Sequence, residues 1–192
     1  MGKLILITGG ARSGKSTYAE RMAGSISNKV LYLATAVAFD EEMKHRIEKH
    51  KQSRPAFWDT QEGYKNLNIV IEEASDYEVV LLDCITVMLT NLLWEYPGMD
   101  FDTPSKEDLE KAEEYVRIEF DKLLKSAMDY KGTLIMVTNE LGSGIVPEAP
   151  IARSFRDIAG RVNQQIAAHC QEVYLTVCGI PVQIKKASEE HL

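Results

Sequence analysis

The feature that most constrains the fold of this chain is an alternation. Five short runs, LILITG (4–9), KVLYLAT (29–35), EVVLLDC (78–84), GTLIMVT (132–138) and EVYLTVC (172–178), are nearly apolar throughout and rich in β-branched residues. Longer stretches of helical period lie between them, near 15–24, 40–51, 62–75, 85–95, 105–129 and 150–170. A strand that is apolar along its whole length has both faces covered, as in a parallel sheet. Strands that alternate with helices predict parallel strands joined by right-handed crossovers, with helices on both faces. The expectation is therefore an α/β fold of three layers around a mostly parallel sheet. GIPVQIKK (179–186) reads as a turn into a short antiparallel C-terminal edge strand. YPGMDFDTPS (96–105), with two prolines among acidic residues, reads as a surface loop, and ASEEHL (187–192) as a polar tail.

Length and composition narrow the function. A chain of 192 residues, 45% hydrophobic and 27% charged, suits a single catalytic domain over 1–192 with a sizeable core. A net charge of −7 argues against nucleic acid as the main partner. No apolar run approaches the roughly 18–20 residues of a membrane span. The apolar start MGKLILITGG is too short for a signal peptide and runs into a glycine turn. Cys84, Cys170 and Cys178 are odd in number and lack metal-type spacing, so they read as reduced thiols of a cytoplasmic protein.

The strongest chemical signal follows the first apolar run. Gly9-Gly10-Ala11-Arg12-Ser13-Gly14-Lys15-Ser16 fits G-x-x-x-x-G-K-[ST] in full, between a predicted strand and a predicted helix. Glycines let backbone N–H groups curl around phosphate oxygens, and the helix that follows adds its positive N-terminal end. Lys15 would neutralise the β/γ-phosphates of a nucleoside triphosphate, and the Ser16 hydroxyl would ligate Mg²⁺. Such a cradle needs an acid at the end of a neighbouring strand. Asp83, which ends EVVLLD, suits that metal role. It also suits a helix cap, and the two roles are compatible. A third strand end carries VTNELGSGIVPE (137–148), where Asn139 and Glu140 either face the γ-phosphate or acceptor, or precede a plain glycine turn.

A second cluster is cationic. MKHRIEKHKQSRP (43–55) places His45 and His50 among five Lys/Arg residues of an acidic chain that holds four histidines in all. At about 100° per residue, five positions set the two imidazoles roughly 140° apart on a helix, too far round to share one metal. His45 lies one turn from Glu41 and Glu42, on a solvated face, whereas His50 shares a stripe with Met43, Arg46 and Ile47. Lys49, Lys51 and Arg54 flank His50, and nearby positive charge disfavours the imidazolium. A neutral imidazole is a competent nucleophile, and the same cations could stabilise charge on an attacked phosphate.

ITGGARSGKS, LYLAT, EEMKHRIEKHKQSRPAFW, LLDCITVMLTNLL, VTNELGSGIVPE and RSFRDIAGRVNQ occur in this order from residue 5 to about residue 185. Together they resemble the bifunctional adenosylcobinamide kinase/adenosylcobinamide-phosphate guanylyltransferase family of cobalamin synthesis. The phosphate-loop motif is widely shared; R-I-x-x-H-[KR]-x-x-R-P together with T-N-E-x-G-x-G-I-V-P is far more specific.

The resemblance implies a P-loop NTPase-like fold and two reactions. In the first, ATP or GTP phosphorylates adenosylcobinamide. In the second, GMP passes from GTP through a guanylyl-histidine to give adenosylcobinamide-GDP. It implies that His50 is the guanylylated residue; some relatives carry another histidine just before it, where this chain has Lys49. It also implies nucleotide contacts from Gly9 to Ser16, from Ala34, Thr35 and Ala36, from Lys51, Gln52, Ser53 and Arg54, and from Glu62 and Asp83. A carboxylate such as Glu62 can accept from the N1 and N2 hydrogens of guanine. Ser16 and Asp83 would hold Mg²⁺, and the corrinoid would bring its own cobalt. The family further implies a homo-oligomer, often a trimer, with the amphipathic segment RSFRDIAGRVNQQIAAH (Arg153, Arg156, Arg161; alternatively a solvated face paired with Asp157) or the 85–95 helix as an interface. Two other readings remain open from the residues alone: a P-loop small-molecule kinase without covalent nucleotide, and a nucleotide-dependent switch or assembly ATPase. Against the switch stands the lack of an N-K-x-D guanine motif.

Overall fold

A computed structural model describes residues 2–37, 41, 54–98, 100–101 and 103–186. Seven strands form one sheet: β1 (Lys3–Gly9), β2 (Val30–Ala34), β3 (Asp59–Glu62), β4 (Val79–Asp83), β5 (Thr133–Asn139), β6 (Glu172–Val177) and β7 (Ile180–Lys185). Their spatial order is β3-β2-β4-β5-β1-β6-β7. Every pairing is parallel except β6 with β7, the expected antiparallel edge. The helices are α1 (Lys15–Ile26), α2 (Leu67–Glu73), α3 (Ile85–Glu95), α4 (Lys106–Asp129) and α5 (Pro150–His169). The helix expected over 40–51 lies outside the described residues apart from Glu41.

The two faces of the sheet explain the continuous apolar runs. Along a strand successive side chains point to opposite faces. Leu4, Leu6, Leu31, Leu33, Val80, Leu82, Leu134 and Met136 pack under α2 to α5, in one core with Leu89, Phe120 and Ile166. Ile5, Ile7, Tyr32, Leu81, Ile135 and Val137 face the other way, against Ala19 and Ala23 of α1 and against Trp58. The alanines let α1 lie close on the strands, with its N-terminus, and hence the phosphate loop, at their carboxyl ends.

Two elements depart from expectation. β3 was not foreseen: its residues DTQE are all exposed, and a polar edge strand offers no apolar signal. Consequently the helix expected from 62 begins only at Leu67. Glu62 still belongs to the strand, Gly63 N–H donates to Ala34 O at 3.0 Å, and Asn66 takes a left-handed φ of 54° before the first helical turn.

The parallel register aligns the strand ends. Glu62 pairs with Ala34, and Ala34 with Asp83. On the other side Asn139 pairs with Gly9, and Gly9 with Thr176. Ligands of open α/β sheets bind in the crevice outside such carboxyl ends. Five residues singled out from sequence (Gly9, Ala34, Glu62, Asp83 and Asn139) therefore share one rim.

Candidate functional site

The phosphate loop is shaped by close approaches. A Cβ on Gly9 would lie 2.5 Å from Thr176 O and 2.6 Å from Ser13 Oγ, so only glycine fits between β1 and the returning loop. Arg12 and Gly14 take left-handed φ values of 56° and 90°, which turn the backbone sharply before α1. Ser13 N–H donates to Gly10 O at 3.2 Å, and Gly179 N–H, from the β6–β7 turn, donates to Ser13 O at 2.9 Å. Tyr18 N–H donates to Gly14 O at 2.9 Å and opens the helix. Lys15 curls back so that Nζ donates to Gly10 O at 3.0 Å. The side chain is buried, and burial holds its ammonium below the ordinary lysine pKa; Cys84 and Asp83 act in the opposite direction. A buried ammonium beside a glycine loop is well placed to gain from a polyanion. Ser16 stands in the first turn of α1.

Asp83 ends β4 and does not cap α3. The cap position belongs to Cys84, which makes no side-chain cap bond, while Asp83 Oδ2 accepts from the Tyr32 hydroxyl at 2.8 Å. Tyr32 is buried within the apolar strand β2, where a phenol needs a partner, and Asp83 supplies it. Burial pushes the Tyr32 phenol pKa upward, and the neighbouring Asp83 charge adds to this, so the phenol stays protonated as the donor. Burial likewise pushes the Cys84 thiol up to about 12. The Arg54 guanidinium lies 3.4 Å over the centre of the Tyr32 ring, a cation–π contact. Its Nε and Nη1 are buried without hydrogen-bond partners among the described residues, as is Glu20 Oε1 on α1. Burial raises the Glu20 pKa, Asp83 adds to the effect and Arg54 opposes it.

Thr35 is spent on the same corner. Its Oγ1 donates to Cys84 O and accepts from Cys84 N–H, each at 2.8 Å, and its own N–H donates to Asp83 O at 3.1 Å. Asn91 Nδ2 of α3 donates to Thr35 O at 2.8 Å. A fully buried side chain with these bonds orients the peptide after Asp83. Ala34 and Ala36 flank it along the rim. Glu62 is exposed at the end of β3.

Glu140 settles into the turn it precedes. Its Oε1 accepts from Gly142 N–H at 2.6 Å and Ser143 N–H at 3.2 Å, so its carboxylate folds the loop. Its N–H donates to Gly9 O at 3.0 Å and ties that loop to the cradle. Asn139 is held through its backbone, by Thr86 Oγ1 at 2.7 Å and Asn163 Nδ2 at 3.1 Å. The arginines of α5 are also committed within the chain. Arg153 and Arg156 donate to loop carbonyls, and Arg161 to Glu113.

The structure thus brings Lys15, Asp83, Thr35, Arg54 and the loop Gly9–Ser16 to one corner. His45, His50, Lys51, Gln52 and Ser53 lie outside the described residues. Tyr32 and Glu20 were not singled out from sequence. A lone phenol inside an otherwise apolar strand was the available signal for Tyr32; Glu20 had none. Among the described residues no group of three His, Cys, Asp or Glu side chains could hold a metal ion by itself. No described helix is long and apolar enough to cross a membrane.

Comparison with known proteins adds the family. The model of cobinamide kinase/cobinamide phosphate guanyltransferase matches residues 5–184. The bifunctional adenosylcobalamin biosynthesis protein CobU of Escherichia coli (strain K12) is 49% identical over 183 residues, 95% of this chain and 99% of that protein. Its namesake from Salmonella typhimurium (strain LT2) is 45% identical over the same shares of the two chains. Among solved structures, flagellar accessory protein FlaH from Methanocaldococcus jannaschii aligns over 96% of this chain and 79% of its own, at 19% identity and a TM-score of 0.48. The chain belongs to the cobinamide kinase/cobinamide phosphate guanyltransferase family.

Proposed function

We propose that, as a member of this family, the chain phosphorylates adenosylcobinamide with ATP or GTP and then converts the product to adenosylcobinamide-GDP. The observation that carries the reading is the corner itself: a phosphate loop with a buried Lys15 whose Nζ donates to Gly10 O, and the strand-end acid Asp83 on the same rim, in a chain matched by the family over residues 5–184. The cradle N–H groups and Lys15 bind the triphosphate and hold the charge of the transferred group. The acceptor hydroxyl attacks the γ-phosphorus, its proton passes to water, and the nucleoside diphosphate leaves. In the second reaction a ring nitrogen of His50 attacks the α-phosphorus of GTP, the bond to the β-phosphate oxygen breaks, and pyrophosphate leaves. A phosphate oxygen of adenosylcobinamide phosphate then attacks the same phosphorus, the P–N bond breaks, and the imidazole is regenerated. Arg54, with two unpartnered buried nitrogens, is placed to meet a phosphate, and Lys51, Gln52, Ser53 and Glu62 complete the nucleotide contacts in this reading.

The Ser16 hydroxyl and the Asp83 carboxylate are hard oxygen donors at one corner, the donor set that suits Mg²⁺ when the remaining positions are filled by phosphate and water. When bound, Mg²⁺ would neutralise charge on the phosphates. The chain is proposed to act as one catalytic domain over 1–192, in the cytoplasm, as a homo-oligomer, with a trimer as the family form. The 85–95 helix buries most of its residues within its own chain and leaves Trp94 exposed. Val177, Ile180, Val182 and Ile184, all more than half exposed on one face of the β6–β7 hairpin, offer a better contact surface.

Incubation with α-labelled GTP and Mg²⁺, followed by a denaturing gel, tests the reading. The wild-type chain and His45→Ala take up acid-labile, base-stable label, and His50→Ala takes up none. Label on His50→Ala but not on His45→Ala would assign the wrong histidine. No label on the wild type would favour a kinase without covalent nucleotide.

A further inference from the structure

The loop between β5 and α5 spends polar groups to hold apolar ones in water. Ile145 is 96% exposed and Val146 64% exposed. An apolar pair in a loose loop would fold onto the protein surface, but this loop is braced on both sides. The Glu140 carboxylate accepts from Gly142 and Ser143 N–H groups. Arg156 donates to the carbonyls of Gly142 and Gly144, and Arg153 to those of Pro147, at 3.0 Å, and Glu148, at 2.5 Å. A carboxylate and two guanidinium groups thus fix a short turn with its Ile-Val tip outward. A ligand that meets a preformed tip does not have to order it.

The chemistry of the loop excludes one class of ligand and its root selects another. From Leu141 to Pro147 the residues LGSGIVP carry no charge, and both nearby arginines are committed to backbone carbonyls. The tip therefore has nothing to offer a second phosphate. Its root, however, is bonded to the cradle through Glu140 N–H and Gly9 O, and Asn139 is the register partner of Gly9. A molecule docked on this loop lies on the carboxyl-end side of the sheet, the side on which phosphoryl transfer is proposed. We infer that this loop is the docking ledge for the acceptor: Ile145 and Val146 receive the methyl-studded edge of the corrinoid macrocycle and leave its aminopropanol arm to reach the cradle. The inference rests on the proposed kinase and guanylyltransferase reading and adds the residues that select its acceptor.

The test is the double variant Ile145→Ser/Val146→Ser, with Ile145→Leu as the conservative control. Equilibrium dialysis of adenosylcobinamide, followed by its visible absorption, and the KM for adenosylcobinamide in the phosphorylation step are compared with covalent label uptake from GTP, which needs no acceptor. The expected result is an acceptor Kd and KM raised at least ten-fold in the double variant, near wild type in Ile145→Leu, with label uptake and sedimentation coefficient unchanged. Acceptor binding within two-fold of wild type, or a weakened affinity that tracks a change in sedimentation, overturns the inference; in the second case the tip is a contact between copies. A wild-type chain that neither binds nor phosphorylates adenosylcobinamide refutes the functional reading, and the ledge falls with it.

Discussion

Two loops leave neighbouring strands at the same register, one after Gly9 of β1 and the other after Asn139 of β5, and they are stabilised by opposite means. The first closes through its own backbone: a glycine where no Cβ fits, two left-handed residues, and Ser13 N–H bonded to Gly10 O. The second is closed by side chains, with Glu140 capping it from within and Arg153 and Arg156 reaching up from α5. A backbone cradle suits a ligand whose phosphates recur in every substrate. A side-chain brace can be retuned residue by residue, which suits the acceptor contact proposed for it.

The contrast can be broken at its strongest point first. Lys15→Ala removes the cation at the centre of the cradle and should lower both phosphorylation and guanylylation by about 10²–10³-fold, the loss typical of one preorganised charge-stabilising donor. Steady-state assays of each reaction check it. Gly9→Ala should destabilise the fold by about 1–3 kcal/mol, because its Cβ would meet the Thr176 carbonyl oxygen at 2.5 Å and backbone cannot swing aside. Urea denaturation reads that cost. Arg156→Ala removes two bonds to loop carbonyls and should cost about 1 kcal/mol globally, with hydrogen exchange accelerated at 141–148 and unchanged in the cradle. Gly144→Ala is the smallest effect, within about 0.5 kcal/mol of wild type in the same denaturation experiment, because the nearest atom to its added Cβ is Leu141 O at 3.9 Å. A Gly144→Ala cost equal to that of Gly9→Ala would erase the distinction between the loops.

The same contrast explains what was legible in the sequence. The cradle is a local backbone conformation, so contiguous glycines, Lys15 and Ser16 announced it. The parallel sheet was legible because burial on both faces leaves continuous apolar runs. β3 was not, since an exposed edge strand of DTQE carries neither alternation nor apolar content. Asp83 was found by its place at a strand end, but its tie to Tyr32 spans 51 positions and has no local signature. Thr35 was legible as a strand-end residue, but its bonds to the Asp83–Cys84 peptide depend on the register of β2 with β4 and have no local signature. Glu140 looked equally suited to an acceptor and to a turn; only the positions of Gly142 and Ser143 N–H show that its carboxylate is taken.

The central claim is that one cradle serves both transfers. It is tested most directly by following covalent label uptake from α-labelled GTP while a non-hydrolysable ATP analogue is titrated in. One shared site predicts that label uptake falls to zero with the same inhibition constant, corrected for the competing nucleotide, with which the analogue stops phosphorylation of adenosylcobinamide. Label uptake that persists at analogue concentrations where phosphorylation has ceased would contradict the claim and place the guanylylating nucleotide at a second site.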